Sequence, residues 1–319
     1  MIARLLVRRL AAAVPLVLLV SVAYFALLHA LPGGPLAAYL SSPNVRPEDL
    51  ARLERALGLD RPLVEQYLRW LWGVLRGDWG YSFVDGRPVL ERLLERVPAT
   101  LELVAAGLTL ALVTAVPLGM LGAEQRGRAA DHGLRVASAA GLALPVFWTA
   151  LLAQLVFAIG LGWLPSSGRS SVTSSDTLDR VRHLVLPALV LAVSQVAAWS
   201  RYLRTTLIGS FASTWITAAR ARGAAPWRVR LRHALRPSLV PFLTVALLDA
   251  ALLVSGAVVT ESVFAWPGLG ALFTDALARR DYPVLMGFLL VGAFAVIGAN
   301  IVADLAQAAL DPRVREQLA

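Results

Sequence analysis

Six apolar windows, each about as long as a helix needs to cross a bilayer, limit the folds open to this chain more than any other feature. A hydrocarbon core of roughly 30 Å takes about 20 mostly apolar residues per helix. Windows of that kind lie at Leu10–Leu31, Ala99–Ala123, Val136–Gly160, Leu184–Ser200, Leu239–Phe264 and Val284–Ala309, the fourth being the shortest. Hydrophobic residues make up 57 % of the 319 and charged residues only 16 %, which is not the balance of a water-soluble domain. The spacing predicts an all-α transmembrane bundle. Pro15, Pro117, Pro145, Pro187 and Pro241 fall inside the windows. Membrane helices tolerate proline where neighbours satisfy the freed carbonyls, so these positions mark kinks.

The positive charge is carried by arginine alone. All 30 basic residues are arginine, and neither lysine nor cysteine occurs. Without lysine the chain has no Walker-type phosphate grip and no Schiff base; without cysteine it has no disulfide, thiolate metal site or cysteine nucleophile. Any energy it uses must come from elsewhere. With both termini in the cytoplasm, the inside segments 1–9, 124–135, 201–238 and 310–319 carry 16 arginines and four acids. The outside segments 32–98, 161–183 and 265–283 carry 14 arginines and 13 acids. Nine of those outside arginines sit in the long loop 32–98, and long loops largely escape the positive-inside rule, so inside termini are favoured. A cleaved leader is the alternative, because Arg4, Arg8 and Arg9 precede the first apolar run. That run is longer than a usual leader core, and it is read as the first span.

Segment 32–98 reads as folded in water. Pro32-Gly-Gly-Pro35 ends the first helix, a second helix starts near Pro47-Glu-Asp49, and Leu50, Leu53 and Leu57 recur at helical spacing until Gly58. Another amphipathic stretch runs from Pro62 to Leu75 and ends at Gly77. Its Tyr67, Trp70 and Trp72 suit packing or the headgroup zone. A small helical cap on the bundle is the plain reading; direct contact with a substrate is the other.

The inside loop 201–238 holds Arg201, Arg204, Arg220, Arg222, Arg228, Arg230, Arg232 and Arg236 and no acid. It divides into two short helices: Phe211 to Arg222, stopped by Gly223, and Pro226, at a first helical position, on to Leu235. Ala218, Ala219 and Gly223 are small and allow another surface to approach. Three readings compete. One is an anchor to anionic lipid, worth about 1 kcal/mol per arginine near the surface. Another is nucleic-acid binding, which nothing else in the chain supports. The sharpest is a docking element for a soluble partner.

The stretch Trp215-Ile-Thr-Ala-Ala-Arg-Ala-Arg-Gly223, followed by residues 224–241, resembles the EAA loop of binding-protein-dependent ABC-importer permeases, and within them the dipeptide/oligopeptide and nickel branch. Further markers follow in order: Arg8-Arg9, Leu31-Pro-Gly-Gly-Pro35, Leu57-Gly-Leu-Asp-Arg-Pro62 with Gln66-Tyr67, Gly77-Asp-Trp-Gly-Tyr-Ser82 and Arg96-Val-Pro-Ala-Thr-Leu-Glu-Leu103. Glu261-Ser-Val-Phe-Ala-Trp-Pro-Gly-Leu-Gly270, Arg280-Asp-Tyr-Pro283 and Asp311-Pro-Arg-Val-Arg315 complete the series. Two positions depart from the pattern. Thr217 stands where the generic motif has glutamate, and Gly34 where aspartate is usual in Pro-Gly-Asp-Pro, so no salt bridge is assigned at 217 and no acidic role at 34.

The resemblance implies a six-helix type I ABC importer permease bundle. Residues 1–31 would be the cytoplasmic N-terminus and first span, 32–98 a small helical extracytoplasmic insertion, 99–309 a five-helix core with the coupling loop 201–238, and 310–319 a cytoplasmic tail. It implies a non-catalytic subunit of a multi-pass importer in the bacterial cytoplasmic (inner) membrane. The partners would be a second homologous permease subunit, two cytoplasmic ATPase subunits that bind the ATP and magnesium, and an extracytoplasmic substrate-binding protein delivering di- or oligopeptides. Nickel chelates and glutathione-type peptides are the alternative cargo; no cofactor of its own and no nucleic acid are implied. Thr217, Ala218, Ala219, Arg220, Arg222 and Gly223 would couple to the ATPase, and a bulky residue at 219 or 223 would weaken docking while leaving membrane insertion intact.

Ionisable groups in lipid are expensive, which makes Glu102, Asp249, Glu261 and Asp304 functional candidates. Glu102 and Glu261 lie near outer helix ends, within reach of water or a loop arginine, and Asp304 lies near an inner end. Asp249 alone is near mid-bilayer. Asp249, Glu261 and Glu102 are candidates for a translocation path, with an interhelical contact the other reading of Asp249; Gln154 and Gln195 read as packing. An ion-coupled secondary transporter would use Asp249 and Glu261 as ion sites and show an internal repeat, which the two halves do not. His29, His132, His183 and His233 have no paired i, i+4 spacing, so they read as surface or interfacial residues and no metal site is expected. Ser255-Gly256 has no histidine at its depth to make it a protease. Trp266-Pro-Gly-Leu-Gly270 reads as a tight re-entry with its tryptophan at the outer headgroup level.

Overall fold

A computed structural model describes residues 2–30, 48, 52, 54, 55, 58–171 and 176–310, with the helical backbone alone for 2–6, 8, 251, 252, 254–256 and 306–310. The expected break at Pro32–Pro35, the helix start at 47–49 with Leu50, Leu53 and Leu57, the side chain of Ser255 and the tail beyond 310 lie outside the described residues.

Ten α-helices of eight residues or more carry the described residues: α1 (Ile2–Ala30), α2 (Leu63–Leu75), α3 (Val89–Glu124), α4 (Ala129–Ala143) and α5 (Val146–Ala153). They continue with α6 (Thr177–Phe211), α7 (Thr214–Ala221), α8 (Arg236–Val263), α9 (Leu269–Ala278) and α10 (Tyr282–Leu310). Among the described residues the only β feature is an isolated bridge between Tyr81 and Pro88. By length and apolarity α1, α3, α6 and α10 can cross a membrane, and α4 with α5 adds a fifth crossing if that bent pair is one span. At 28 residues, α8 is about 42 Å long and covers the fifth expected window.

The parallel pair α3–α6 is the spine, with Gly107, Gly119 and Gly122 meeting Leu191, Leu203 and Arg204 in the same order. Residues 107, 111, 115 and 119 repeat every four positions on α3 and are all glycine or alanine, giving a face on which another backbone can lie close. A Cβ added at Gly107 would sit 3.0 Å from Leu191 Cβ, and one at Gly119 would sit 3.1 Å from both Leu203 Cβ and the Ser200 carbonyl. The short fourth window is only the apolar middle of α6. That helix extends past it at both ends, starting at Asp176, whose carboxylate accepts from the Asp179 N–H at 2.8 Å.

The third window departs from expectation. Instead of one kinked span over 136–160, the chain bends by 103° between α4 and α5. Proline forces the residue before it out of the helical region, and Leu144 takes φ −78°, ψ 127°. Past α5 the chain runs on as a π-helical segment, Gln154–Gly160. Between the last two windows, where only a tight re-entry was expected, the apolar helix α9 intervenes.

Of the packed regions of the core, two mark its inner and outer ends. The inner one joins Trp199, Leu203 and Leu207 of α6 to Phe242 and Ala246 of α8 and to Ile216, Val229 and Ala234 of the loop between them. The outer one joins Leu28, Val89, Leu93, Leu269, Tyr282 and Leu285 from four helices.

Candidate functional site

The arginine-rich loop folds as a hinged elbow, and its helix boundaries differ from those expected. Phe211 ends α6; the chain turns at Ala212–Ser213, where Ser213 is extended (φ −77°, ψ 153°), and only then begins α7 at Thr214. The stop at Gly223 is as expected. The Ala224 N–H donates to the Ala219 carbonyl (3.1 Å) and the Gly223 N–H to the Arg220 carbonyl (2.9 Å), with Gly223 at φ 77°. That pairing is a Schellman stop, whose C′ position favours glycine. Pro226–Arg228 opens the return, a π-helical segment Val229–Leu235 follows, and α8 starts at Arg236 without a break in helical backbone. The elbow is thus joined to α6 by a turn and to α8 by continuous helix.

The elbow has two faces. Ile216 and Ala219 are buried at 0 % and 2 % exposure against the chain's own bundle. Ala219 therefore does not offer its methyl to a partner: a small residue is needed there for α7 to seat. Thr217, Ala218, Arg220, Arg222 and Gly223 are exposed, with Thr217 Oγ1 turned back to the Ser213 carbonyl at 3.5 Å. Beside them Trp215 and Trp227 are 53 % and 57 % exposed, and the Arg228 guanidinium lies 5.4 Å over the Trp227 ring. A cleft of about 540 Å³ opens next to this surface, lined by Glu124, Phe211, Arg220, Ala224, Pro226 and Arg230 among others.

Charge on the elbow is only partly compensated. Arg204 makes a two-pronged pair with Asp131 (2.5 and 2.7 Å), whose carboxylate also accepts from the Gly127 N–H at 2.9 Å. Arg230 approaches Glu124 at 3.6 Å. Arg201, Arg220, Arg222, Arg228, Arg232 and Arg236 are exposed, and no acid among the described residues pairs with them.

The four acids of the spans are all engaged within the chain. Asp249 on α8 accepts from the indole N–H of buried Trp199 on α6 at 2.8 Å, an interhelical contact. Glu102 accepts from Arg169 (2.9 and 2.5 Å) and Arg180 (2.7 Å twice), the loop arginines expected near it. Asp304 pairs with Arg9 at 2.6 Å, tying the inner ends of α1 and α10. Glu261 departs in part from its expected setting: it is fully buried, and Arg96 acts on it only through its charge, with no hydrogen bond between them. Its carboxylate accepts from Thr100 Oγ1 (2.6 Å) and from the N–H groups of Gly270 (2.6 Å) and Ala271 (3.2 Å) in the first turn of α9. Gly268 and Gly270 must be glycine to permit this approach, since a Cβ on the first would overlap the Glu261 carboxylate and one on the second the Val258 backbone.

Trp266 is likewise not a headgroup residue. It is fully buried, and its indole N–H donates to the Ala99 carbonyl at 2.8 Å. His183 is buried rather than interfacial, with its Nδ1 2.8 Å from the Asp179 carbonyl, and among the described residues no cluster of His, Asp or Glu is placed to hold a metal. Gln154 packs as expected, donating to the Ser166 and Val263 carbonyls. A further polar centre was not singled out from the residues. Buried Asp281 accepts from Ser82 Oγ (2.5 Å), the Phe83 N–H (3.0 Å) and Arg92 (3.2 Å). Its only signal was that Gly77–Ser82 and Arg280–Pro283 both belong to the series of markers; the fold brings those two together, as it does Arg96–Leu103 and Glu261–Gly270.

A membrane bundle with no nucleotide motif, presenting a bare basic elbow on one face, has the form of a transport-system membrane subunit. Residues 115–316 match the family described as binding-protein-dependent transport system inner membrane component, and residues 1–104 match its N-terminal counterpart, binding-prot-dependent transport system membrane comp, N-term. The chain belongs to this family. It is 36 % identical to the oligopeptide transport system permease protein AppB of Bacillus subtilis (strain 168), over 97 % of this chain and 98 % of the relative. It is 37 % identical to the di/tripeptide transport system permease protein DppB of Pseudomonas aeruginosa (strain UCBPP-PA14), with the same two coverages. Identity to the dipeptide transport system permease protein DppB of Escherichia coli (strain K12) is 34 %, over 98 % of both chains. The chain is an ABC-transporter permease subunit and a multi-pass membrane protein.

Proposed function

We propose that this chain is one half of the translocation path of an ATP-driven importer of di- and oligopeptides. It crosses the cytoplasmic membrane six times with both termini inside, and pairs with a second, homologous permease subunit. Two cytoplasmic ATPase subunits hold the ATP and magnesium and carry out the hydrolysis; a substrate-binding protein delivers the peptide from outside. The chain itself is non-catalytic and needs no cofactor. The observation that carries this reading is the elbow. Its inner face is locked into the bundle by Ile216 and Ala219, and its outer face presents Thr217, Ala218, Arg220, Arg222 and Gly223 together with two bare tryptophans, a surface suited to a groove on a soluble partner. Because α8 continues the elbow as helix, a push on that surface passes into the bundle as a rigid-body movement.

The peptide names of the relatives support peptides over nickel chelates or a glutathione-type cargo, and a binding-protein-dependent family supports ATP over an ion gradient. Of the three path candidates, Asp249 keeps that role: it sits mid-span, and its one bond to Trp199 could be exchanged as α6 and α8 move. Glu261 and Glu102 act as clasps at the outer end. The test is reconstitution of the four-subunit complex, with ATP turnover measured with and without peptide-loaded binding protein. Turnover should rise with the loaded protein and uptake should require ATP. Uphill accumulation by this chain alone, driven by an ion gradient, would refute the proposal.

A further inference from the structure

Helix α2 belongs to a segment that reads as folded in water, with rings suited to packing or the headgroup zone, and among the described residues no other helix covers its apolar stripe. Val64, Leu68, Trp72 and Leu75 are 71 %, 55 %, 57 % and 70 % exposed. At about 100° per residue these four fall within roughly 80° of arc. To one side of the stripe are Gln66, Tyr67 and Trp70, partly buried; Tyr67 packs on α1, and Trp70 belongs to the outer core. To the other are Glu65, Arg69 and Arg76, joined by a Glu65–Arg69 pair at 3.1 Å and by Arg76 lying 4.6 Å over the Trp72 ring. The helix therefore has three faces in order, one against protein, one apolar and bare, and one charged. A helix that lay wholly in water would need only two.

Its position supplies the occupant. Tyr67 meets α1 at Ser21 (Oη to Oγ 2.9 Å) and at Phe25 (ring centroids 5.5 Å). The inner end of α1 is marked by the Arg9–Asp304 pair and its outer end by His29 against Tyr282 (5.8 Å). Ser21 is eight residues short of His29, or about 12 Å at 1.5 Å per residue, so α2 is held below the outer end of a span. There α1 itself turns Leu18, Leu19 and Val22 outward, so exposed apolar surface lies at the depth at which Tyr67 holds α2 to that helix. We propose that α2 lies in the outer interface of the bilayer, with Val64, Leu68, Trp72 and Leu75 in the acyl–headgroup boundary and Glu65, Arg69 and Arg76 toward water. Amphipathic helices bind in the interface plane in this way, and tryptophan favours that depth. The inference concerns lipid contact alone and goes beyond the transport reading.

The chain contains no cysteine, so single cysteines can be labelled cleanly. Val64→Cys, Leu68→Cys and Leu75→Cys, with Glu65→Cys and Arg69→Cys for the charged face, are spin-labelled and assembled with cysteine-free partners into nanodiscs. Collision with oxygen, which concentrates in lipid, should exceed collision with a water-soluble nickel chelate severalfold at 64, 68 and 75, with the reverse order at 65 and 69. Equal access of the chelate to both faces would put the stripe in water. Protection of 64, 68 and 75 from both reagents would mean that protein covers it, whether a partner subunit or residues 31–57 of this chain. Either result overturns the proposal. ATP turnover of the same labelled complexes is read in parallel and bears only on the transport reading, so the two can fail separately.

Discussion

At the outer end of the bundle Asp281, Glu261 and Glu102 each find their partners within the chain, whereas at the inner end six arginines of the elbow have no acidic partner among the described residues, and Trp215 and Trp227 are exposed beside them. The contrast separates two uses of polar residues. Buried carboxylates that accept from N–H, O–H and guanidinium groups fix helix ends against one another, because a buried polar group left unmatched is costly. Exposed charges with no partner in the chain add little to its stability and are available to something else. Substitutions at the outer end should therefore be read in stability, and those on the bare face of the elbow in coupling.

The largest effect is expected at Asp281. Asp281→Ala leaves Arg92, whose side chain is 13 % exposed, without its buried partner, and breaking a buried pair costs about 3–5 kcal/mol. The nearby Asp85 at 3.4 Å holds the loss toward the low end. A sharp fall in the thermal stability of the purified complex should follow. If stability is unchanged, the outer end is not the locked one and the comparison breaks.

Gly270→Val comes next. Its side chain would press on the Val258 backbone, which cannot move aside, and on the Glu261 carboxylate. Overpacking of this kind costs about 1–3 kcal/mol, and the Glu261–α9 clasp should open with it. Thermal stability measured beside Glu261→Gln separates the two causes, since the glutamine keeps the shape and one acceptor. Equal loss in both would assign the effect to the carboxylate rather than to crowding.

The elbow itself divides at two adjacent alanines. Ala219→Trp should unseat α7 at a cost of about 1–3 kcal/mol, lowering stability and peptide-stimulated ATP turnover together. Ala218→Trp, on the exposed face, should leave stability within about 0.5 kcal/mol while stimulated turnover falls severalfold. Should both variants lose stability alike, the bare face is not free and the coupling proposal loses its surface.

How much of this was legible in advance differs between the two ends. Four of the windows, the first, second, fourth and sixth, could be read because a long apolar run decides them, and the stop at Gly223 and the opening proline at 226 because local backbone chemistry does. That water or a loop arginine would meet Glu102 was anticipated from depth, though not that Arg169 and Arg180 would be the ones. The clasp at Glu261 was not, because its partners are Thr100 and two backbone N–H groups, and no spacing rule links residues 161 positions apart. The break at Pro145 was read as a kink because proline marks the place but not the angle, which is set by the helices packed around it. Ala219 was assigned to a partner because a small residue permits close approach from either side, and only packing shows which side is used.

The two ends also stop their helices by the same device with different residues, which gives the smallest and cleanest test. At the inner end Gly223 sits at φ 77° with nothing within 4 Å of where a Cβ would be. At the outer end α8 stops in the same way, the Trp266 N–H donating to the Glu261 carbonyl (2.8 Å) and the Ala265 N–H to the Ser262 carbonyl (3.3 Å). There the left-handed position, φ 47°, is held by Ala265, an exposed alanine. A left-handed non-glycine residue costs about 1–2 kcal/mol, and glycine gives back about 0.5–1 kcal/mol of that through chain entropy. Ala265→Gly should therefore stabilise by up to about 1 kcal/mol, and Gly223→Ala should destabilise by a similar amount, both read as shifts in melting temperature. Gly223→Asn isolates the conformational role, since asparagine tolerates this region of φ. It should keep more stability than Gly223→Ala, and any coupling it loses beyond that would mark Gly223 as a surface the ATPase touches.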